Sequence, residues 1–222
     1  LVALWGNTSN LTDSPTVLLR LSDQFQVSKS GISRPKILYV HGTDGKSHGQ
    51  IVKGGDDLNK DELIQQVFAL VNSLLYQDLQ CRRRGLAIRK YKIVPLAGKT
   101  GVIEMVQNSE ALRDYLSVAH KQWNPNDWSQ NDCWQALNTA YKSSRKDKDQ
   151  HQSTRIEAYK KVCNNFRPAM YNEMIYRSSN MQKWYNSRMA YIRSVALTSI
   201  VGYILGLGDR HASNILIDKG SH

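Results

Sequence analysis

The residues best placed to do chemistry lie late in the chain, in Gly206-Leu207-Gly208-Asp209-Arg210-His211-Ala212-Ser213-Asn214-Ile215-Leu216-Ile217-Asp218. A buried helix is expected to end at the glycines, and a short apolar strand to resume at Ile215. The polar loop between them presents Asp209, Arg210, His211 and Asn214. An Asp can accept or orient a hydroxyl proton, and an Asn amide oxygen five residues later can ligate magnesium, which prefers oxygen donors. A charged turn with a helix-capping Asp would account for Asp209 alone, not for the whole set.

Lys53 is the second candidate. It ends an apolar strand and is followed by Gly54-Gly55-Asp56-Asp57, just ahead of an amphipathic helix. A strand Lys facing an acid can hold its ammonium against nucleotide phosphates, and a pair of glycines permits close approach. The plainer reading is that Asp56 and Asp57 cap the helix and favour its positive end. A third segment, Gly42-Thr43-Asp44-Gly45-Lys46-Ser47, imitates the end of a phosphate-binding loop but has Val40 where that loop needs Gly. It also lies between two strands, where Asp44-Gly45 reads as a hairpin turn.

The elements that must position these residues follow from periodicity. Thr16–Leu21, Gln24–Val27, Lys36–Val40 and Gln50–Lys53 have strand length and β-branched or aromatic content, broken by Gly, Pro, Ser and Asp. An antiparallel sheet is expected. Leu63, Ile64, Val67, Phe68, Leu70, Val71, Leu74 and Leu75 then recur at helical steps, giving one apolar face to lay on it. Leu86–Pro95 and Gly101–Val106 read as two more strands around a hairpin turn at 97–100, after which the strand pattern stops. From Glu110 onward the periods are helical, with the longest run from Lys183 to Leu207, and Lys142–Ser153 reads as a polar loop.

The composition sets limits on function. The chain has 30 Lys+Arg against 19 Asp+Glu, a formal charge of +11, and 41% hydrophobic residues, enough for one large domain or two joined lobes with real cores. Cys81, Cys133 and Cys163 are odd in number, far apart and without C-x-x-C, which argues against a disulfide scaffold or thiolate zinc site and fits a reducing, intracellular setting. Val195–Leu207 is shorter than the roughly 20 apolar residues of a membrane span and reads as a core helix, so no membrane partner is expected. The positive charge suits nucleic acid or any phosphate-rich ligand. Arg82-Arg83-Arg84 reads as a solvated loop, and the sequons at Asn7 and Asn10 as chance. The opening LVALW lacks the basic leader and apolar core of a signal peptide and reads as the boundary of an excised piece.

The segments IVKGGDDLNKDELIQQVF, YKIVPLAGKTGVIE and SIVGYILGLGDRHASNILID occur in the order found in the catalytic domain of phosphatidylinositol-3-kinase-related protein kinases, which the chain resembles from Val17 to Asp218. NPNDW, VCNNFRP and RMAYIRSVALTSIVGYILGLGDRH resemble the ATM and telomere-maintenance branch. The resemblance implies an α+β, two-lobed protein-kinase-like fold, with an antiparallel-sheet N-lobe over residues 1–106 and a helical, incomplete C-lobe over 107–222. It implies ATP and Mg2+ as cofactors. By position, Lys53 should contact the phosphates with Asp56 as its helix partner, and Asp61 and Tyr91 should line the inner end of the adenine pocket. The linker Glu104-Met105-Val106 should meet the adenine edge through the Glu104 carbonyl and the Val106 N–H. Ser28–Ile32, with Ser30 and Gly31, matches the loop over the phosphates. Asp209 should be the catalytic aspartate, His211 a stabiliser of the transferred phosphoryl group, and Asn214 a magnesium ligand.

The family pattern is departed from at Met105, where related kinases commonly have Trp, and at Asn59-Lys60, where Arg-Gln is usual. The chain also stops at His222, ahead of the family's Asp-Phe-Gly or Asp-Leu-Gly segment, so this fragment alone is expected to be inactive and the parent protein to be the enzyme. The resemblance further implies phosphorylation of protein substrates at Ser or Thr, before Gln, in DNA-damage signalling and telomere maintenance, in a nuclear, dimeric protein recruited by DNA-break or telomere complexes. DNA contact is then expected through partners or other domains rather than through this region. The alternatives are a phosphoinositide lipid kinase, whose catalytic loop is closely related, and a non-catalytic basic module that binds DNA or a protein partner.

Overall fold

The computed structural model describes residues 16–28, 34–96, 98–144 and 151–219. Five strands, β1 (Leu18–Val27), β2 (Lys36–Gly42), β3 (Ser47–Gly54), β4 (Ile93–Leu96) and β5 (Thr100–Glu104), form an antiparallel sheet in the order β1-β2-β3-β5-β4. Helices α1 (Asn59–Gln77) and α2 (Leu79–Arg83) separate β3 from β4. Then come β6 (Ser109–Ala111), α3 (Leu112–Trp123), α4 (Gln130–Ser144), α5 (His151–Asn165), α6 (Met170–Arg177), α7 (Met181–Ile204) and β7 (Leu216–Asp218). The chain divides into two compact units. The first holds residues 1–108 and 193–205 and the second 109–192 and 206–222, so the division falls within α7.

In the first unit β3 is the central strand, and its register puts Lys53 opposite Gly101 on β5. Gly101 has to be Gly: a Cβ there would lie 2.6 Å from Leu58 Cδ1 and 2.7 Å from the Val94 carbonyl oxygen. Leu58, only 2% exposed, fills that gap and pins the start of α1 under the end of β3. Burying a leucine in this way stabilises by roughly 2 kcal/mol. On the other side of α1, Phe68, Val71 and Leu75 pack with Ile88 against Leu197, Val201 and Leu205, the apolar end of α7 and its exit.

Several elements differ from the sequence expectation for visible reasons. Thr16–Leu21 and Gln24–Val27 are not two strands: β1 runs through both, and the polar Ser22-Asp23-Gln24 between them is absorbed as a register irregularity between Leu21 and Phe25. The strand expected over Leu86–Pro95 shrinks to β4, because α1 side chains satisfy the backbone before it. Asn72 accepts from the Ile88 N–H and donates to the Ile88 carbonyl, both at 2.8 Å, and Gln65 accepts from the Tyr91 N–H at 3.2 Å. Helix side chains thus replace a strand partner. Pairing also continues past Val106, since β6 joins β7 in a two-stranded sheet with Glu110 opposite Ile217. The loop expected over Lys142–Ser153 is largely helical at its two ends. Ser144, buried at the end of α4, accepts from Arg155 Nε of α5 at 2.9 Å.

Candidate active site

The first group of site residues lies on the first unit. Lys53 Nζ stands 3.5 Å from the Asp56 carboxylate, both side chains partly exposed. Asp56 sits in the bend after β3 and not on α1, so the expected helix partner is a loop residue. Gly55, with φ +86, turns the chain there, and its N–H donates to the Lys99 carbonyl at 2.7 Å, closing the bend against the β4–β5 hairpin. Asp57 does the capping expected of this pair: its carboxylate accepts from the Asn59 N–H at 3.1 Å and from the Asn59 amide at 2.7 Å. Those bonds hold its pKa below the usual Asp value. Asp61 is exposed in the first turn of α1, and Tyr91 is half-buried just before β4. Ser30 and Gly31 lie outside the described residues.

The linker strand is held firmly. Glu104 donates its N–H to the Lys92 carbonyl at 2.8 Å, and its carboxylate accepts from the Lys92 N–H at 2.9 Å. Met105 donates its N–H to the Gly49 carbonyl on β3 at 3.0 Å. The resemblance implies a role only for the Glu104 carbonyl; the bond its carboxylate accepts from Lys92 is visible only in the fold.

The second group lies on the second unit, in the loop between α7 and β7. Asp209 has φ +54, an uncommon conformation for a residue with a side chain. Asn214 stabilises it by donating its amide to the Asp209 carbonyl at 3.0 Å and to the Asp209 carboxylate at 2.9 Å. These bonds use the Asn214 amide nitrogen, so its oxygen is the atom of the amide suited to accept from or ligate another group. His211 Nδ1 accepts from the Ser213 N–H at 3.2 Å, which places the ring proton on Nε2, 3.5 Å from the Asp209 carboxylate. The His211 carbonyl accepts from the Asn214 N–H at 2.8 Å, and Arg210 Nε donates to the Gly208 carbonyl at 2.8 Å. The loop is braced from α3, whose Arg113 N–H donates to the Ala212 carbonyl at 3.0 Å and whose Leu112 N–H donates to the Ile215 carbonyl at 2.8 Å. Even so, the Asp209 side chain is 75% exposed and His211 58%. A carboxylate, an imidazole and an amide oxygen therefore stand together, open to a reactant.

Beneath this, the second unit contains a buried charged network that periodicity could not reveal. Glu173, 2% exposed, accepts from Trp123 Nε1 at 2.9 Å and from Arg177 Nε at 2.6 Å, and Arg177 also donates to Glu110 at 2.8 Å. The Arg177 guanidinium covers the ring of Tyr115, whose hydroxyl pKa burial pushes up to about 12. A second clamp joins two of the three segments that resemble a family branch, NPNDW and VCNNFRP. Asp127 takes a bidentate bond from Arg167, Nη2 to Oδ1 at 2.7 Å and Nε to Oδ2 at 3.1 Å, and the Arg167 N–H at 2.8 Å, and Asn124 donates to the Arg167 carbonyl at 3.0 Å. The Arg167 guanidinium and N–H bonded to Asp127 lower its pKa to about 2.

The family model for phosphatidylinositol 3- and 4-kinase matches residues 47–222, which include both groups of site residues apart from Ser30 and Gly31. The chain belongs to that family. Among curated relatives, this kinase-family chain is 40% identical over 217 residues to the serine/threonine-protein kinase tel1 of Schizosaccharomyces pombe, covering 97% of this chain and 7% of the relative. It is 40% identical over 194 residues to the serine/threonine-protein kinase ATM of Drosophila melanogaster, covering 85% and 7%. Among solved structures it superposes on the FAT and kinase domain of CtTel1 with a TM-score of 0.84 and 35% identity, over 99% of this chain and 15% of that one. It also superposes on the Tel1 kinase butterfly symmetric dimer with a TM-score of 0.71 and 37% identity, over 86% of this chain and 8% of that one. The chain thus spans a small part of the proteins it is similar to. Membership of a kinase family carries ATP and metal use in general terms.

Proposed function

We propose that the protein carrying this chain is a serine/threonine protein kinase that transfers the ATP γ-phosphate to Ser or Thr, preferring a following Gln, in nuclear DNA-damage signalling and telomere maintenance. The single observation that carries this reading is the 209–214 loop, where Asn214 holds Asp209 in a left-handed conformation with its carboxylate exposed beside His211. The names of the relatives support the choice of a protein over a lipid substrate. The similar solved structures whose titles describe Tel1 dimers support the same assembly here, and recruitment by DNA-break or telomere complexes follows from that reading.

The residues fit the groups the family implies. The Asn214 amide oxygen is a hard donor, suited to Mg2+, which takes few protein ligands and keeps water and phosphate oxygens for the rest. Among the described residues no cluster of three or more His, Cys, Asp or Glu could cage a metal without such help. The chemistry that bound ATP and metal supply is a transferable phosphoryl group and positive charge against it. Lys53 offers its ammonium to phosphate oxygens, with Asp56 limiting its swing. The Glu104 carbonyl and Val106 N–H take the adenine edge, Met105 flanks the base, and Asp61 and Tyr91 line the inner end of the pocket. For Ser30 and Gly31, outside the described residues, the resemblance alone supports a role in the loop over the phosphates. Asp209 orients the substrate hydroxyl and takes its proton, while His211 Nε2–H donates to the phosphoryl oxygens. Positioning and electrostatics carry the reaction, with no covalent enzyme intermediate.

The test offers radiolabelled ATP to the intact protein with a Ser-Gln peptide, an Ala-Gln control peptide or phosphatidylinositol vesicles. Label is expected on the Ser-Gln peptide alone, and Lys53→Met is expected to remove it. Label on the lipid instead would favour the lipid kinase; label on neither, with salt-sensitive DNA binding, would favour the non-catalytic module.

A further inference from the structure

One face of β3 carries three consecutive outward positions of different character. The strand has no bulge between Ser47 and Gly54, so Gly49, Ile51 and Lys53 point the same way. Gly49 is buried and has no side chain, and the space its Cβ would take belongs to Met105. A Cβ built there would lie 3.0 Å from Met105 Cβ, 3.1 Å from Sδ and 3.2 Å from Cε. The thioether therefore lies on the Lys53 face of the sheet. At about 3.3 Å per residue, Gly49 and Lys53 are about 13 Å apart along the strand, comparable to the reach of a nucleoside triphosphate from its base to its outer phosphates.

We propose that Gly49 is a specificity-determining position of the nucleotide site: by lacking a side chain it seats Met105 against β3, and the seated thioether forms the wall on which the base rests. This deepens the kinase reading and rests on it. Met105 Cβ is fixed by a backbone that is itself bonded to the Gly49 carbonyl at 3.0 Å, so the strand cannot simply retreat. A side chain at Gly49 has to swing Sδ and Cε outward, into the space of the base. Gly49 has no side chain with which to reach a phosphate or a hydroxyl, so its effect on nucleotide binding is exerted through Met105 and not on the transfer step.

The experiment is a double-mutant cycle in the intact protein, reading the equilibrium dissociation constant for MgATP, kcat and KM for ATP, and the melting temperature without nucleotide. Gly49→Val is expected to weaken MgATP binding about tenfold and raise KM in parallel, with kcat within about twofold of wild type, and Gly49→Ala to do so less. In a Met105→Ala background, Gly49→Val is expected to have no further effect on binding. Additive effects, or a lower melting temperature with unchanged MgATP affinity, would overturn the proposal while leaving the kinase reading standing. Wild-type protein that binds no MgATP would overturn both.

Discussion

Asp, Arg, His and Asn come together twice in the second unit, and the two quartets behave in opposite ways. Asp127, Arg167, His120 and Asn124 are locked: the Asp127 side chain is 8% exposed, gripped by a bidentate guanidinium, and the His120 ring stacks on Phe166 with centroids 3.8 Å apart. Asp209, Arg210, His211 and Asn214 are open, and their few bonds are local, spanning two to five residues. What differs is whether the polar groups spend their bonding capacity on each other. A carboxylate saturated by a guanidinium and an N–H is a structural brace, whereas one tied only by an amide keeps oxygens for a substrate. Residue type alone cannot tell a brace from a catalyst.

The sharpest way to break this comparison is to make the same substitution in both quartets. Asp209→Asn is expected to lower phosphorylation by the intact protein about 100-fold or more without changing its melting temperature. Asp127→Asn is expected to do the reverse, lowering the melting temperature by several degrees because Arg167 loses its charged partner. If both variants lose activity equally with no change in melting, the division between brace and catalyst is wrong.

A smaller effect is expected in acid. When folded, Asp127 holds its proton only below pH about 2, against 3.8 for an ordinary Asp, because of Arg167. A depressed carboxylate pKa adds stability that is present above 3.8 and disappears as the pH falls toward 2. Arg167→Ala should remove that contribution and move the acid-unfolding midpoint to higher pH, measured by circular dichroism. An unmoved midpoint would mean the clamp does not couple to folding.

The smallest effect concerns His120, whose Nε2 is buried without a hydrogen-bond partner, 3.8 Å from the Asp127 carboxylate. His120→Phe keeps the stack on Phe166 and deletes the unpaired nitrogen, so at neutral pH stability should change by no more than about 1 kcal/mol in urea titrations. A much larger loss would show that the imidazole, and not its ring area, braces the clamp.

Much of this molecule was legible before folding. Alternation along residues 36–53 predicts β2 and β3, the apolar steps from Leu63 to Leu75 predict α1, and the spacing of Asp209, His211 and Asn214 marks a chemical loop, because each signal is local. The misreadings also have local causes. Residues 86–92 carry a strand pattern, yet Asn72 and Gln65 satisfy the backbone at Ile88 and Tyr91 from α1. Ser109–Ala111 has no strand pattern, yet it pairs with Leu216–Asp218 about a hundred residues later.

The sequence by itself thus determined β2, β3, α1, the reactive loop and the kinase family, since these depend on residue identity over short spans. Only the tertiary structure decided which polar residues are spent and which stay available. Glu173 is buried because Trp123, from a distant helix, bonds it together with Arg177 from one turn further along α6. Asp127 and Arg167 find each other across forty residues. Met105 lies on the Lys53 face because Gly49 leaves it room. Each of these outcomes is set by partners far apart in the chain, and a burial or pairing that depends on such partners has no signature in the residues beside it.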